Sequence, residues 1–121
     1  MFDASKVVSD FQQAMGRGDF GAARKLLRDE VSFRGPIGTF DKAEDLIEAL
    51  KKLQSIVERA DVKKIFTDGN DVCVLFDLVI RAPGGTVFIA EWYRVDGGKI
   101  AMMRAVADAR PFAALFGGKA A

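Results

Sequence analysis

Histidine is absent from the chain, and Cys73 is its single cysteine. Without imidazole there is no Ser-His or Cys-His nucleophile pair, no imidazole proton shuttle and no imidazole metal ligand. Acid–base chemistry falls instead to Asp, Glu, Lys, Tyr or Cys73. In the run FIAEWYRV, residues 88–95, Glu91 interrupts an alternating pattern whose two faces are both apolar, and Tyr93, the only tyrosine, follows two positions later. Residues two apart on a strand share a face, so a carboxyl and a phenol are expected side by side. A carboxyl among apolar neighbours loses the solvation of its charge, its pKa rises, and it can donate or accept a proton near neutrality. A phenol beside it could help polarise a carbonyl oxygen. The competing reading pairs Glu91 with an arginine, or turns it to solvent by a one-residue register shift, and makes Tyr93 a core residue with its hydroxyl at the rim.

The remaining polar groups are weaker candidates. Asp68, Asn70 and Asp71 in TDGNDV lack calcium-loop spacing and read as turn chemistry. Arg34, before the Gly35–Pro36 bend, is either a solvated strand residue or a ligand clamp. Cys73 alternates with Val74, reads as a structural thiol on the outer face, and has no base to activate it. No nucleotide-cradle or CxxC motif is present, so neither cofactor nor metal is expected.

The elements that must position Glu91 follow from periodicity. Val7, Val8, Phe11, Ala14 and Met15 recur at helical spacing over residues 4–15. Phe20, Ala23, Leu26 and Leu27 mark a shorter helix that Asp19 caps. Val31 and Phe33 form a short strand before the Gly35, Pro36, Gly38 bend. Asp41 and Glu44 resemble a capping box, opening a third helix with Leu46, Ile47, Leu50, Leu53 and Val57 along one stripe. Four strands are then expected at 62–67, 71–81, 86–95 and 99–107, separated by the turns DGND, APGG and DGGK. The class is α+β, with helices segregated on one face of a curved sheet. One domain is expected over residues 1–117, with residues 118–121 a flexible tail. A chain of 121 residues with ten phenylalanines has the means to bury a core.

Charge and hydropathy bound the partners. Eighteen basic and seventeen acidic residues leave a net charge of +1, without the clustered basic surplus that nucleic acid requires. No apolar run reaches the ~20 residues that span a bilayer. The single cysteine and an N-terminus without signal-peptide pattern make a cytoplasmic location the expectation.

The segments GDFGAARKLLRDEVSFRGPIG, FDKAEDLIEAL and EWYRVDGGKIAMMRAVAD, in this order and spacing, resemble the NTF2-like superfamily, particularly its SnoaL-like and ketosteroid-isomerase-like branch. The resemblance implies a cone: three helices on the concave side of a bent sheet around a pocket open at the wide end. It also implies that the carboxyl before the DGK-type turn, here Glu91, points into that pocket as its acid–base group. Alternation then turns Val87, Ile89 and Tyr93 inward with it, and likewise Val74, Phe76, Leu78, Ile80, Met103, Ala105 and Ala107. Phe11, Met15, Phe33, Phe40 and Leu50 are expected to complete the pocket. The departures are specific. Gly35 stands where the isomerases place their base, and Phe11 where they place a phenol. Ala105 stands where the epoxide-hydrolase-like branch places an Asp, beside Arg104 and Asp108.

The expected function is binding of a small hydrophobic, cyclic or polyketide-like molecule, with isomerase, cyclase or hydrolase chemistry at Glu91. The alternative is a non-catalytic binding module or dimeric scaffold of the same fold. The outward set, Cys73, Leu75, Val79, Phe88, Ala90, Trp92, Met102 and Val106, is apolar and has no helix left to cover it. With Asp77, Arg81, Arg94 and Arg104 around it, this face is expected to form a homodimer.

Overall fold

The computed structural model describes residues 3–81 and 84–113. Helix α1 spans Ala4–Gly16 and α2 spans Phe20–Lys25; strands β1, Leu27–Gly35, and β2, Gly38–Phe40, follow. Helix α3, Ala43–Gln54, leads into β3, Val57–Asp68, β4, Asp71–Ile80, β5, Gly85–Asp96, and β6, Lys99–Val106, and a 3-10 turn covers Arg110–Phe112. The six strands form one sheet in the order β2-β1-β6-β5-β4-β3. Every pairing is antiparallel except β1 with β6, which is parallel. The class is therefore α+β: three helices and a curved, unclosed, mainly antiparallel sheet.

Local chemistry accounts for most boundaries. The Asp3 carboxylate accepts from the backbone N–H groups of Ser5 and Lys6 and starts α1, and Asp19 accepts from Ala22 N to start α2. Val7, Val8, Phe11 and Ala14 form the buried stripe of α1. The β5–β6 turn places Gly97 and Gly98 at φ of 60° and 81°, the pair of positive values that a two-residue hairpin with right-handed strand twist demands. Along β4 and β5 burial alternates strictly, with Val74, Phe76, Leu78 and Ile80 buried on one strand and Val87, Ile89, Glu91 and Tyr93 on the next.

Four sequence expectations are corrected. The third helix has Lys42 at its N-cap without a side-chain bond, so Asp41 and Glu44 form no capping box. Arginines draw both carboxylates away: Asp41 pairs with Arg34 at 3.1 Å and Glu44 with Arg24 at 2.5 Å. Val57 belongs to β3, because Ser55 Oγ donates to Lys52 O at 2.6 Å and closes α3. Leu27 opens β1 instead of ending α2: Leu26 O accepts from Ile100 N at 2.7 Å and Leu27 stands opposite Ile100 in the parallel ladder. Finally, β3 is longer than residues 62–67, and the three-residue β2 was not foreseen. The expected tail at 118–121 and part of the APGG turn lie outside the described residues.

Phe76, buried on the concave face of β4, tests the inward assignment. Phe76→Ala is expected to lower stability by about 3 kcal/mol in urea denaturation. An unchanged midpoint would place Phe76 outside the core.

Candidate functional site

The helices do not fill the concave face. A cavity of about 620 Å³ remains between them and the sheet. Phe11, Gln12 and Met15 of α1 and Leu50 and Leu53 of α3 form one wall. The sheet supplies the other through Phe33, Phe76, Leu78, Ile89 and Met103, and Phe112 adds a side from the 3-10 turn. The lining residues that are exposed, among them Gln13 and Gly16 on α1 and Glu58, Arg59, Val62 and Ile65 on β3, locate the opening between α1 and the edge strand β3. At this lip Arg59 is shared between two carboxylates: its Nε contacts both Asp61 oxygens at 3.2 Å, and its Nη1 donates to Glu58 Oε2 at 2.9 Å.

Glu91 lies on the cavity wall and is only 9% exposed. Its cross-strand neighbours are Val74 on β4 and Ala105 on β6, so no cation flanks it on the sheet. Its partner is Tyr93: the phenol hydroxyl donates to Glu91 Oε1, and Gln12 Nε2 donates to the same hydroxyl oxygen at 3.1 Å. The Phe11 ring meets the Tyr93 ring edge-on, with centroids 6.2 Å apart. Burial pushes the Glu91 carboxyl up to about 7, against the opposing pull of the hydrogen bond from Tyr93. Burial, and then the charge of Glu91, drives Tyr93 well above the usual phenol range. At neutral pH the carboxyl is therefore present in both forms while the phenol stays protonated. The one proton of Tyr93 is committed to Glu91, so the phenol holds the carboxyl and has none left for a ligand.

The model of the SnoaL-like domain matches residues 8–103. The chain belongs to the SnoaL-like family. Within the NTF2-like superfamily it is similar to a protein of unknown function from Cytophaga hutchinsonii, with 27% identity, 93% of this chain and 96% of that one covered, and a TM-score of 0.80. Two further solved structures share the fold. IdmH from Streptomyces antibioticus, a proposed polyketide cyclase, has 18% identity, coverage of 96% and 99%, and a TM-score of 0.76. An LEH-like epoxide hydrolase from M. tuberculosis has 20% identity, coverage of 93% and 88%, and a TM-score of 0.74. No curated protein matches the chain significantly.

This SnoaL-like site differs from both catalytic patterns considered above. At Gly35, a Cβ would lie 3.0 Å from the Phe33 ring and 3.1 Å from Ala105 Cβ, so a larger side chain there has to displace both. Arg104 is exposed, Asp108 is held by Arg110, and neither lines the cavity. Of the residues expected in the pocket, Phe11, Met15, Phe33, Leu50, Phe76 and Leu78 line it, as do Ile89, Met103 and Ala105. Phe40 and Val74 do not. Phe40 packs behind Phe33 at 5.9 Å between centroids, and Val74 is fully enclosed between Ile65 and Glu91 in the sheet register.

Arg34 does not line the cavity; its guanidinium donates to Phe33 O and pairs with Asp41. Asp71 accepts from Trp92 and Arg94 on the outer face, and Cys73 is half-buried there. Gln12 was passed over because it reads as polar helix surface. Its position immediately after Phe11 is the only signal the sequence offers. Phe112 was missed because the chain returns to the core after β6.

Glu91 makes stability depend on pH. Its pKa is raised on folding, so its contribution is intact below the unfolded value of 4.5 and is lost as pH rises through about 7. The difference corresponds to on the order of 3 kcal/mol. Glu91→Gln is therefore expected to gain stability over the parent protein between pH 4 and pH 8 in parallel denaturant titrations. A constant difference across this range would show a carboxyl with an ordinary pKa.

Proposed function

We propose that the protein binds a small apolar molecule, cyclic or polyketide-like, in the cone cavity, and that Glu91 moves a proton on it. The observation that supports this is a buried carboxyl, poised near neutrality, on the wall of an otherwise apolar cavity. The simplest chemistry is isomerisation. Ionised Glu91 takes a proton from the carbon beside a carbonyl, the C–H electron pair becomes the enolate double bond, and the protonated carboxyl returns the proton at another carbon. Nothing is oxidised or reduced. Cyclase and hydrolase chemistry draw on the same acid–base group.

A ring ketone tests this. Hydrogen–deuterium exchange at the α-carbon of 1-tetralone, followed by NMR in D2O, is expected to accelerate with the protein and to return to the background rate with Glu91→Gln. Ligand-induced chemical-shift changes without accelerated exchange would leave the binding module.

That second reading has its own support. Gly35 carries no carboxyl, a Cβ there would press on the Phe33 ring and on Ala105, and Phe11 has no proton to give, so Glu91 acts alone. In either reading we propose that the partner is a second copy, through the convex face of the sheet. Phe88, Trp92 and Val106 are 55%, 42% and 75% exposed there, and Leu75 and Met102 are half-buried beside them. Trp92 is held ready as an anchor, its indole N–H donating to Asp71 Oδ1 at 2.9 Å. Arg104 and Asp77 on the same face are of opposite charge, and a pairing across a twofold axis would share Asp77 with Lys63, which it meets at 3.6 Å. Trp92→Arg is expected to yield monomers in sedimentation velocity, and a monomeric parent protein at micromolar concentration would overturn the interface.

A further inference from the structure

Glu91 has two oxygens and they are not equivalent. Oε1 accepts the Tyr93 proton, and the Tyr93 oxygen in turn accepts from Gln12 Nε2 at 3.1 Å. A phenol has one proton, so with that proton on Glu91 its oxygen can only accept from Gln12, and Gln12 must present its NH2 group. Oε2 carries no such bond. Nor is it sealed off: among the described residues no enclosed side-chain oxygen or nitrogen lacks a hydrogen bond, so Oε2 opens to the cavity that Glu91 lines.

We propose that Gln12 is a positioning residue that fixes the direction of the Gln12–Tyr93–Glu91 chain, so that the proton Glu91 exchanges is carried on Oε2, on the cavity side. The inference rests on the proton-transfer role of Glu91. For the proton to sit on Oε1, Tyr93 would have to turn its own proton toward Gln12, and the Gln12 amide would have to rotate by half a turn to offer its oxygen in place of the NH2 that now faces the phenol. With its NH2 toward the phenol, Gln12 thereby disfavours the arrangement in which the exchangeable proton is shared within the wall and withheld from the ligand. By donating to the phenol oxygen it also makes Tyr93 a stronger donor to the carboxylate. A ligand suited to this site offers an oxygen acceptor, or an acidic C–H, to Oε2.

Other charged groups have little leverage on the chain. From α1 the neutral Gln12 reaches it, from β4 and β6 the residues opposite Glu91 are Val74 and Ala105, and the charged lining residues are Glu58 and Arg59, paired with each other at the lip.

The test is a carbon-13 NMR titration of the Glu91 carboxyl in four proteins: the parent, Gln12→Met, Tyr93→Phe and the double variant. Loss of the Tyr93 donor is expected to raise the Glu91 midpoint by about 1 to 2 units. Gln12→Met is expected to raise it by roughly 0.5 unit, and to have no effect in the Tyr93→Phe background, because Gln12 acts only through the phenol. Gln12→Leu replaces the Met variant if that one is poorly folded. No shift on removing Gln12, or the same shift with and without the Tyr93 hydroxyl, would overturn the proposal. The two readings fail separately. A flat Gln12 comparison leaves the raised parent midpoint, and with it proton transfer, in place. A parent midpoint at the ordinary Glu value removes proton transfer, while a Tyr93-dependent Gln12 shift would still uphold the chain's direction.

Discussion

Six strands bent into one sheet present more concave apolar surface than helices of 13, 6 and 12 residues can cover. This mismatch of area governs the rest of the molecule. Where α1 and α3 reach the sheet, Val8, Leu46 and Val31 pack to full burial. Where they do not, the walls stay apart and a cavity is left. A carboxyl on that wall has neither bulk water nor a cation, so its charged form is costly, and one phenol hydrogen bond offsets only part of the cost. The unusual acidity of Glu91 is thus a consequence of incomplete packing. It follows from the shape of the fold as much as from any residue beside it.

The alternation of β4 and β5 was legible because a two-residue period leaves only two ways to seat a strand, and Asp77 and Arg81 rule out one of them. Fold class and the three-helix order were readable for the same reason. The failures are of another kind. Asp41 and Glu44 looked like a helix cap, yet distant arginines, Arg34 and Arg24, claim both. Val57 and Leu27 continued a helical stripe until strand pairing with Ile80 and Ile100 captured them. Each competing partner lies outside the local window, and no periodicity records it. Gln12 was hidden similarly, since one flank of α1 overhangs the cavity and the residue types of that helix do not say which. Phe40 and Val74 carry the right side chains, but Phe40 packs behind Phe33 and Val74 is enclosed among its neighbours on the sheet.

Strand β5 joins the two faces. Its odd-numbered residues, Ile89, Glu91 and Tyr93, face the cavity, and its even-numbered ones, Phe88, Trp92 and Arg94, face outward. Glu91 and Trp92 are neighbours in the chain, each oriented by a hydrogen bond, one from Tyr93 and the other to Asp71. Whatever covers the convex face therefore bears on the same short backbone that carries the carboxyl. The salt link of Arg94 to Asp71, at 3.0 and 3.1 Å, ties that backbone to β4 just beyond the site.

The parallel pairing of β1 with β6 sets the order of assembly. β1 lies near the start of the chain and β6 near its end, so the ladder from Leu27–Ile100 to Arg34–Arg104 closes only when both are present. Contacts of such sequence separation form slowly and late. During synthesis the helices and the β3–β4 hairpin emerge with their apolar faces open, and Phe33, already paired with Phe40, gains its other strand neighbour only when Met103 arrives. The cavity is therefore a product of the last strand, and a ribosome-bound intermediate presents an unfinished sheet edge that chaperones are suited to shield.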